Sequence, residues 1–323
     1  MSRAIALRIL AAALAVSFVP ARAASTGEAT LERIRRSMSW IAGSFRDLNT
    51  GARLVVSPPA GGLDAKNRRT FSMVARVQVK MPDKVRFQVL SSSVPIFNRW
   101  ILVQDGDRMM AYDPIGDRRL STDFRRLTGH EPVRLDTTLN VLGVMFDPAR
   151  YKYSLLGRGT FGGASVYRVR ITFTPPRRVN AYTEVAYTEL LVDANRYVPV
   201  ASYSYTPKKE LATTTVFRDF AKTPKGWAAL QVSVRDDRGE RVLREAYKEQ
   251  QRLRAEAAKK MGTPPPPAQR QFTKPGFTIW LDAKGGVLVP KRIRGNGFDG
   301  ATSDWAFYDT KVNTGLPDSA FRL

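Results

Sequence analysis

From Glu28 to Leu48 the apolar residues Leu31, Ile34, Met38, Ile41, Phe45 and Leu48 recur at intervals of 3, 4, 3, 4 and 3, the spacing that lines one stripe of an α-helix. The pattern predicts an amphipathic helix over 28–48, stopped by Asn49-Thr50-Gly51. After it the period changes to two. A short strand at Arg53 to Val56 runs into the turn residues Pro58-Pro59-Ala60-Gly61-Gly62. Phe71, Met73, Val77, Val79 and Met81 then alternate with Ser72, Arg76, Gln78 and Lys80, and Val85, Phe87 and Val89 alternate with Lys84, Arg86 and Gln88. Strands read this way when one face is buried and the other meets water. Pro82-Asp83 turns the chain between these two. Gln104-Asp105-Gly106-Asp107 joins Trp100–Val103 to Arg108–Tyr112 with the Asp-Gly chemistry of a tight hairpin. The segment predicts an antiparallel meander.

Between Pro132 and Phe146 the residues Val133, Leu135, Leu139, Leu142 and Phe146 are spaced by 2, 4, 3 and 4, predicting a short amphipathic helix closed by Asp147-Pro148. Strand patterns resume at Tyr151–Leu156, Val166–Phe173, Thr183–Val192, Val198–Tyr205, Thr213–Phe220 and Trp227–Val234, separated by Gly, Pro, Asn and Asp clusters. Residues 235–276 differ. Arg238 to Lys260 is rich in Arg, Glu, Ala and Gln and runs into Gly262-Thr263 and the four prolines Pro264 to Pro267, which predicts a solvated helix and an extended linker. It is an insertion in a hairpin or a docking arm for a partner. Strands return at Phe277–Leu281, Val287–Ile293 and Trp305–Tyr308, so the chain from 24 to 323 is expected to be one domain, mainly β with α.

The N-terminus has the three parts of an export signal: Arg3 and Arg8, the apolar run Ile9 to Val19, and Ala21-Arg22-Ala23 for a signal peptidase, with cleavage expected after Ala23. The run is shorter than the roughly 20 residues of a membrane span and ends at Pro20. A soluble product in the periplasm is the expectation. Losing residues 1–23, with three arginines and no acid, takes the formal charge from +23 to +20. Inside a cell such a balance points to nucleic acid; outside the inner membrane the abundant anions are phospholipid and lipopolysaccharide head groups. An anionic membrane surface is therefore the expected partner of the charge, and nucleic acid is not, with a basic surface that serves only solvation as the other reading. The chain has no cysteine, which removes disulfides, thiol nucleophiles and thiolate metal sites. Its one histidine, His130, sits in loop-like Leu127-Thr128-Gly129-His130-Glu131-Pro132, and a catalytic triad or histidine metal centre would have to use it. No cofactor or metal is expected. Asp105, Asp107, Asp113 and Asp117 are the carboxylates a hydrolase would draw on, but they fall in turns, where Asp serves the backbone.

Three segments resemble one family. Val79-Lys80-Met81-Pro82-Asp83-Lys84-Val85-Arg86-Phe87 is similar to the "V-K-x-P, then an aromatic strand" segment of the LolA/LolB-type outer-membrane lipoprotein carriers. Ile101-Leu102-Val103-Gln104-Asp105-Gly106-Asp107-Arg108-Met109-Met110-Ala111-Tyr112-Asp113-Pro114 resembles their "I-L-V-x-D-G... Y-x-P" hairpin. Val312-Asn313-Thr314-Gly315-Leu316-Pro317-Asp318-Ser319-Ala320-Phe321 resembles the closing "N-x-x-x-P-D-x-x-F" of related sorting proteins. The resemblance implies a curved antiparallel sheet, an open half-barrel covered by the N-terminal helix and a short lid helix, holding acyl chains of lipidated proteins or lipids without catalysis. The pocket candidates are Met73, Val77, Val79, Met81, Phe87 and Val89 from the sheet and Leu139, Leu142 and Phe146 from the covering helix. The same residues are also compatible with plain core. Where the carriers typically place an inward arginine that hydrogen-bonds to the lid, this chain has Met81, which can line a pocket but cannot make that bond. The alternative expectation is an envelope stress-sensing or regulatory module with the same fold, acting through a protein partner.

Overall fold

The 3.6-residue stripe becomes helix α1, Thr26–Gly43, in a computed structural model that describes residues 26–43, 46–58, 70–81, 83–123, 151–180, 183–264, 275–284, 286–297 and 300–323. Glu32 bridges Arg35 and Arg36, one turn ahead, on the wet side of the helix. The helix stops short of the expected Leu48. Asp47 already belongs to a strand, because its carboxylate is held by the far end of the chain: it accepts the amides of Thr314 (2.8 Å) and Gly315 (2.9 Å) and the Thr314 hydroxyl (2.9 Å). Leu48, the last residue of the predicted stripe, is buried opposite Val79 and Val312.

The strands are β1 Asp47–Ser57, β2 Phe71–Lys80, β3 Lys84–Ser92, β4 Ile101–Asp105, β5 Arg108–Asp113, β6 Arg118–Asp123, β7 Lys152–Phe161, β8 Ala164–Asn180, β9 Thr183–Asp193, β10 Pro199–Tyr205, β11 Leu211–Thr223 and β12 Gly226–Asp236. Helix α2, Asp237–Lys260, follows, and then β13 Gly276–Lys284, β14 Val287–Asn296 and β15 Thr302–Val312. They form one antiparallel sheet of fifteen strands in the order β6-β5-β4-β3-β2-β1-β15-β14-β13-β12-β11-β10-β9-β8-β7. Two meanders are thus joined at a seam where the first strand pairs with the last, from Leu48↔Val312 to Ser57↔Thr302. At the seam the ring of Tyr308 lies over Gly51, where any side chain would collide with it. Strand β6 escapes the sequence pattern because it is an edge: Arg118 to Ser121 are all exposed, and the lone apolar residue Leu120 sets up no alternation.

Helix α2 is inserted between two strands that are neighbours in the sheet, since Arg235 pairs with Gly276 and Gln231 with Trp280. Asp236 caps it by accepting the Gly239 amide at 2.8 Å. Its predicted span, 238–260, agrees with the observed one to a residue. No helix among the described residues is long and apolar enough to cross a membrane.

The sheet is strongly curved and does not close: among the described residues β6 and β7 are its two outer strands. The rings of Phe87 on β3 and Trp305 on β15 stand 6.0 Å apart, although three strand spacings, about 14 Å in a flat sheet, separate their strands. Both face the concave side. Helix α1 lies against the same face, touching both β7 and β12. On the convex side the C-terminal turn Asp318–Phe321 covers β3 and β4, with Phe321 and Val103 fully buried. Arg86 donates to the carbonyls of Ala320 (3.3 Å) and Arg322 (2.7 Å).

Candidate functional site

Cross-strand pairing shows what the concave face is made of. Phe217 pairs with Val232, Val232 with Ile279, Ile279 with Ile293, Ile293 with Trp305, Trp305 with Leu54, and Leu54 with Met73. One unbroken apolar row therefore crosses seven strands, from β11 to β2, in a face that each strand's own alternation marks as dry. A second row, from Val77 to Phe87, Leu102 and Ala111, extends it towards the β6 edge.

The face has two different ends. Towards β7, the side chain of Ile34 drops from α1 among Tyr167, Val169, Ile171, Phe173, Leu190 and Val192, and none of these seven is more than 6% exposed. The helix is held there: the Ser37 hydroxyl lies 2.6 Å from the Tyr197 carbonyl, to which it donates, and the Arg33 guanidinium sits 4.3 Å over the Tyr197 ring. Towards the seam, Phe71, Met73, Val77, Phe87, Leu102, Trp305 and Phe307 are only half-buried. Their rings meet edge to face: Phe71 with Phe97 (6.0 Å) and Phe97 with Trp100 (6.1 Å), while Trp305 stacks with Phe307 (6.4 Å). The Trp100 indole N–H is buried and has no hydrogen-bond partner among the described residues.

The sheet candidates divide accordingly. Met73, Val77, Val79, Phe87 and Val89 share the concave face by register. Val79 and Val89 are buried, Val79 in a cluster with Leu48, Val287 and Val289, whereas Met73, Val77 and Phe87 line the half-open part. Met81 lies one residue past the end of β2, in the turn, where its amide donates to the Arg46 carbonyl at 2.8 Å. Leu139, Leu142, Phe146 and His130 lie outside the described residues, as does the predicted leader. Sequence reading missed Trp305, Phe307, Ile293 and Leu102 as lining. Their alternation was visible, but nothing in it says which strands become neighbours.

Three of the four turn carboxylates are occupied locally. Asp105 pairs with Lys84 at 2.7 Å and holds the ammonium's pKa above its usual value, Asp113 accepts the Ile115 amide at 3.0 Å, and Asp117 accepts the Tyr112 hydroxyl at 3.1 Å. Among the described residues no group of acids and histidine is arranged to hold a metal ion.

Three solved structures align with the chain along most of its length. They are a domain named for outer-membrane lipoprotein sorting from Vibrio parahaemolyticus (13% identity, 92% of this chain and 96% of that one, TM-score 0.41), a LolA superfamily protein from Nitrosomonas europaea (11%, 90% and 97%, TM-score 0.42) and a DUF1329 family protein from Desulfovibrio piger (12%, 90% and 95%, TM-score 0.43). No protein-family model matches the chain, and no curated protein matches it. The half-barrel itself rests on the strand order and register given above.

Proposed function

We propose that the chain is a periplasmic binding and transfer protein for lipidated proteins or lipids, one half-barrel unit that holds acyl chains against its concave face and does no chemistry of its own. The observation that carries this reading is the unequal cover of that face: sealed by α1 at the β7 end, half-open and aromatic near the seam. Bare apolar surface of this kind gains roughly 0.8 kcal/mol for each methylene it takes out of water. Met73, Val77, Phe87 and Trp305 would touch the chain directly. In this reading Leu139, Leu142 and Phe146 would be the remaining pocket residues, and with Met81 in place of an arginine the pocket would rely on apolar contact alone. Export by residues 1–23 puts the molecule where lipidated cargo travels and where its basic surface meets anionic membranes rather than nucleic acid.

The test is native purification from the envelope, solvent extraction and mass spectrometry, together with titration of a fluorescent fatty acid. Co-purified acyl lipid or acylated protein is the expected result. Phe87→Asp with Trp305→Asp is expected to abolish probe binding while the protein still folds, because both sites are half-exposed. An empty protein that carries a stable, unacylated protein partner would overturn the carrier reading and favour a regulatory module instead.

A further inference from the structure

Arg53, Val55 and Ser57 alternate along β1 with Leu54 and Val56, so they stand on the convex side, opposite the apolar row. There they join Thr302, Asp304 and Ala306 of β15 and Lys291, Arg292 and Arg294 of β14 around a groove of about 560 Å³. Four of its side chains are cations and one is an acid. The acid is already taken: Asp304 receives a two-pronged contact from Arg292, with Nε to Oδ1 at 2.8 Å and Nη2 to Oδ2 beside it. Arg292 holds the Asp304 carboxyl below the usual carboxylate range, and Arg294 adds to the effect. Arg53, Lys291 and Arg294 are exposed and have no ion-pair partner among the described residues. Four cations thus share a single carboxylate around one concavity. The hydroxyl-bearing residues Ser57 and Thr302, paired across β1 and β15, stand at its end, and Val55 and Ala306 give it an apolar floor.

We propose that this groove binds a phosphoryl anion. Its two guanidinium groups without ion partners suit phosphate oxygens better than ammonium groups would, and its apolar floor suits the carbon side of a phosphate ester. The head group of an anionic phospholipid and a free phosphate share that chemistry. Phe307, which stacks with Trp305 at the half-open end, also borders the groove, but none of the cations belongs to the acyl-binding surface, and the proposal stands whether or not that reading survives.

The experiment compares the whole chain with Arg53→Gln/Arg294→Gln and with a control, Arg254→Gln/Lys259→Gln, that removes the same charge from the exposed helix α2. Binding is measured by flotation with vesicles of equal parts phosphatidylcholine and phosphatidylglycerol, and by calorimetric titration with inorganic phosphate. About one kcal/mol of attraction per basic group near an anionic surface corresponds to a loss of about thirtyfold in vesicle binding for the groove variant. The control is expected to stay close to wild type. In wild-type protein, the vesicles should protect Arg53 and Arg294, but not Arg254, from phenylglyoxal, as read by peptide mass spectrometry; this arm needs no variant to fold. Vesicle protection with groove-specific loss assigns the ligand as a lipid head group. Saturable phosphate binding lost only in the groove variant, without vesicle protection, assigns it as free phosphate. Equal losses in groove and control variants, or no protection by either probe, overturns the proposal.

Discussion

Strands β8 and β2 have the same local text and different fates. Tyr167, Val169, Ile171 and Phe173 alternate along β8 as Phe71, Met73, Ala75 and Val77 do along β2, and both sets face the hollow of one sheet. The β8 set is buried to 6% exposure or less, whereas Phe71, Met73 and Val77 stay half-buried. The difference is made by Ile34 and the helix that carries it. Alternation states which side of a strand is dry; it is silent on whether protein or a ligand does the drying. A sealed core and a half-open face can therefore be written in the same letters on one sheet.

The sharpest way to break this comparison is truncation at both ends. Ile34→Ala removes a fully buried side chain, and such changes cost about 2–5 kcal/mol, so a large fall in the urea midpoint is expected with acyl-probe affinity nearly unchanged. Phe87→Ala removes a larger but half-exposed group. It is expected to cost at most about 2 kcal/mol, because only part of its area leaves water on folding, and to weaken acyl binding at least tenfold. If the two variants lose equal stability, or if Ile34→Ala is the one that loses the probe, the division into sealed and open ends is wrong.

Next in size is the seam, which holds the two meanders together. Asp47→Ala strands the amides of Thr314 and Gly315 at a site where Asp47 is only 4% exposed, an effect of about 1–3 kcal/mol. Burial raises the Asp47 pKa, but the hydrogen bonds from Thr314 and Gly315 outweigh it and leave the group below its ordinary value. Asp193 behaves alike: burial raises it, and the Arg196 side chain with the Arg196 and Asn195 amides lowers it further than that. A carboxylate with a depressed folded pKa contributes stability that is present above its unfolded pKa and disappears as pH falls through the folded one. The urea midpoint should accordingly change little because of these groups between neutrality and about pH 5, and drop below about pH 4. The drop should be shallower in Asp47→Ala. A midpoint that falls equally steeply in wild type and variant would remove Asp47 from the account.

Much of this architecture was legible because its strands are one-sided. The meanders, the charged helix over 238–260 and its place in a hairpin all follow from periodicity. Four things did not. The end of α1 was misplaced because Phe45 and Leu48 continue the helical spacing by chance, while the decisive partner of Asp47 lies 267 residues away. Strand β6 was invisible because an edge exposed on both faces needs no apolar alternation, and a lone Leu120 makes none. The lining of the hollow was half-found: Met73, Val77 and Phe87 were visible as a dry face, but Trp305 joins them only because β15 closes onto β1, a long-range pairing that no local pattern encodes. The charged groove on the convex side was hidden for the same reason, since Arg53 and Arg294 meet across that seam.

The smallest expected effect tests whether the sealed end owes its stability to its cover or to the strands beneath it. Glu189 stands on the convex side of β9, next in sequence to the buried Leu190, and binds Arg170 at 2.7 Å and Arg168 at 3.3 Å. Burial raises its pKa and the two arginines bring it below the ordinary value. Both arginines are more than 40% exposed, so water replaces much of what the carboxylate supplies. Glu189→Gln should cost about 1 kcal/mol or less, well under the cost of Ile34→Ala although the two side chains belong to the same end of the sheet. A Glu189→Gln loss as large as that of Ile34→Ala would mean that the strand network, not the helix, makes this end a core. The open end could then be no different in kind, and its half-buried rings would be a loosely covered core rather than a surface waiting for a ligand.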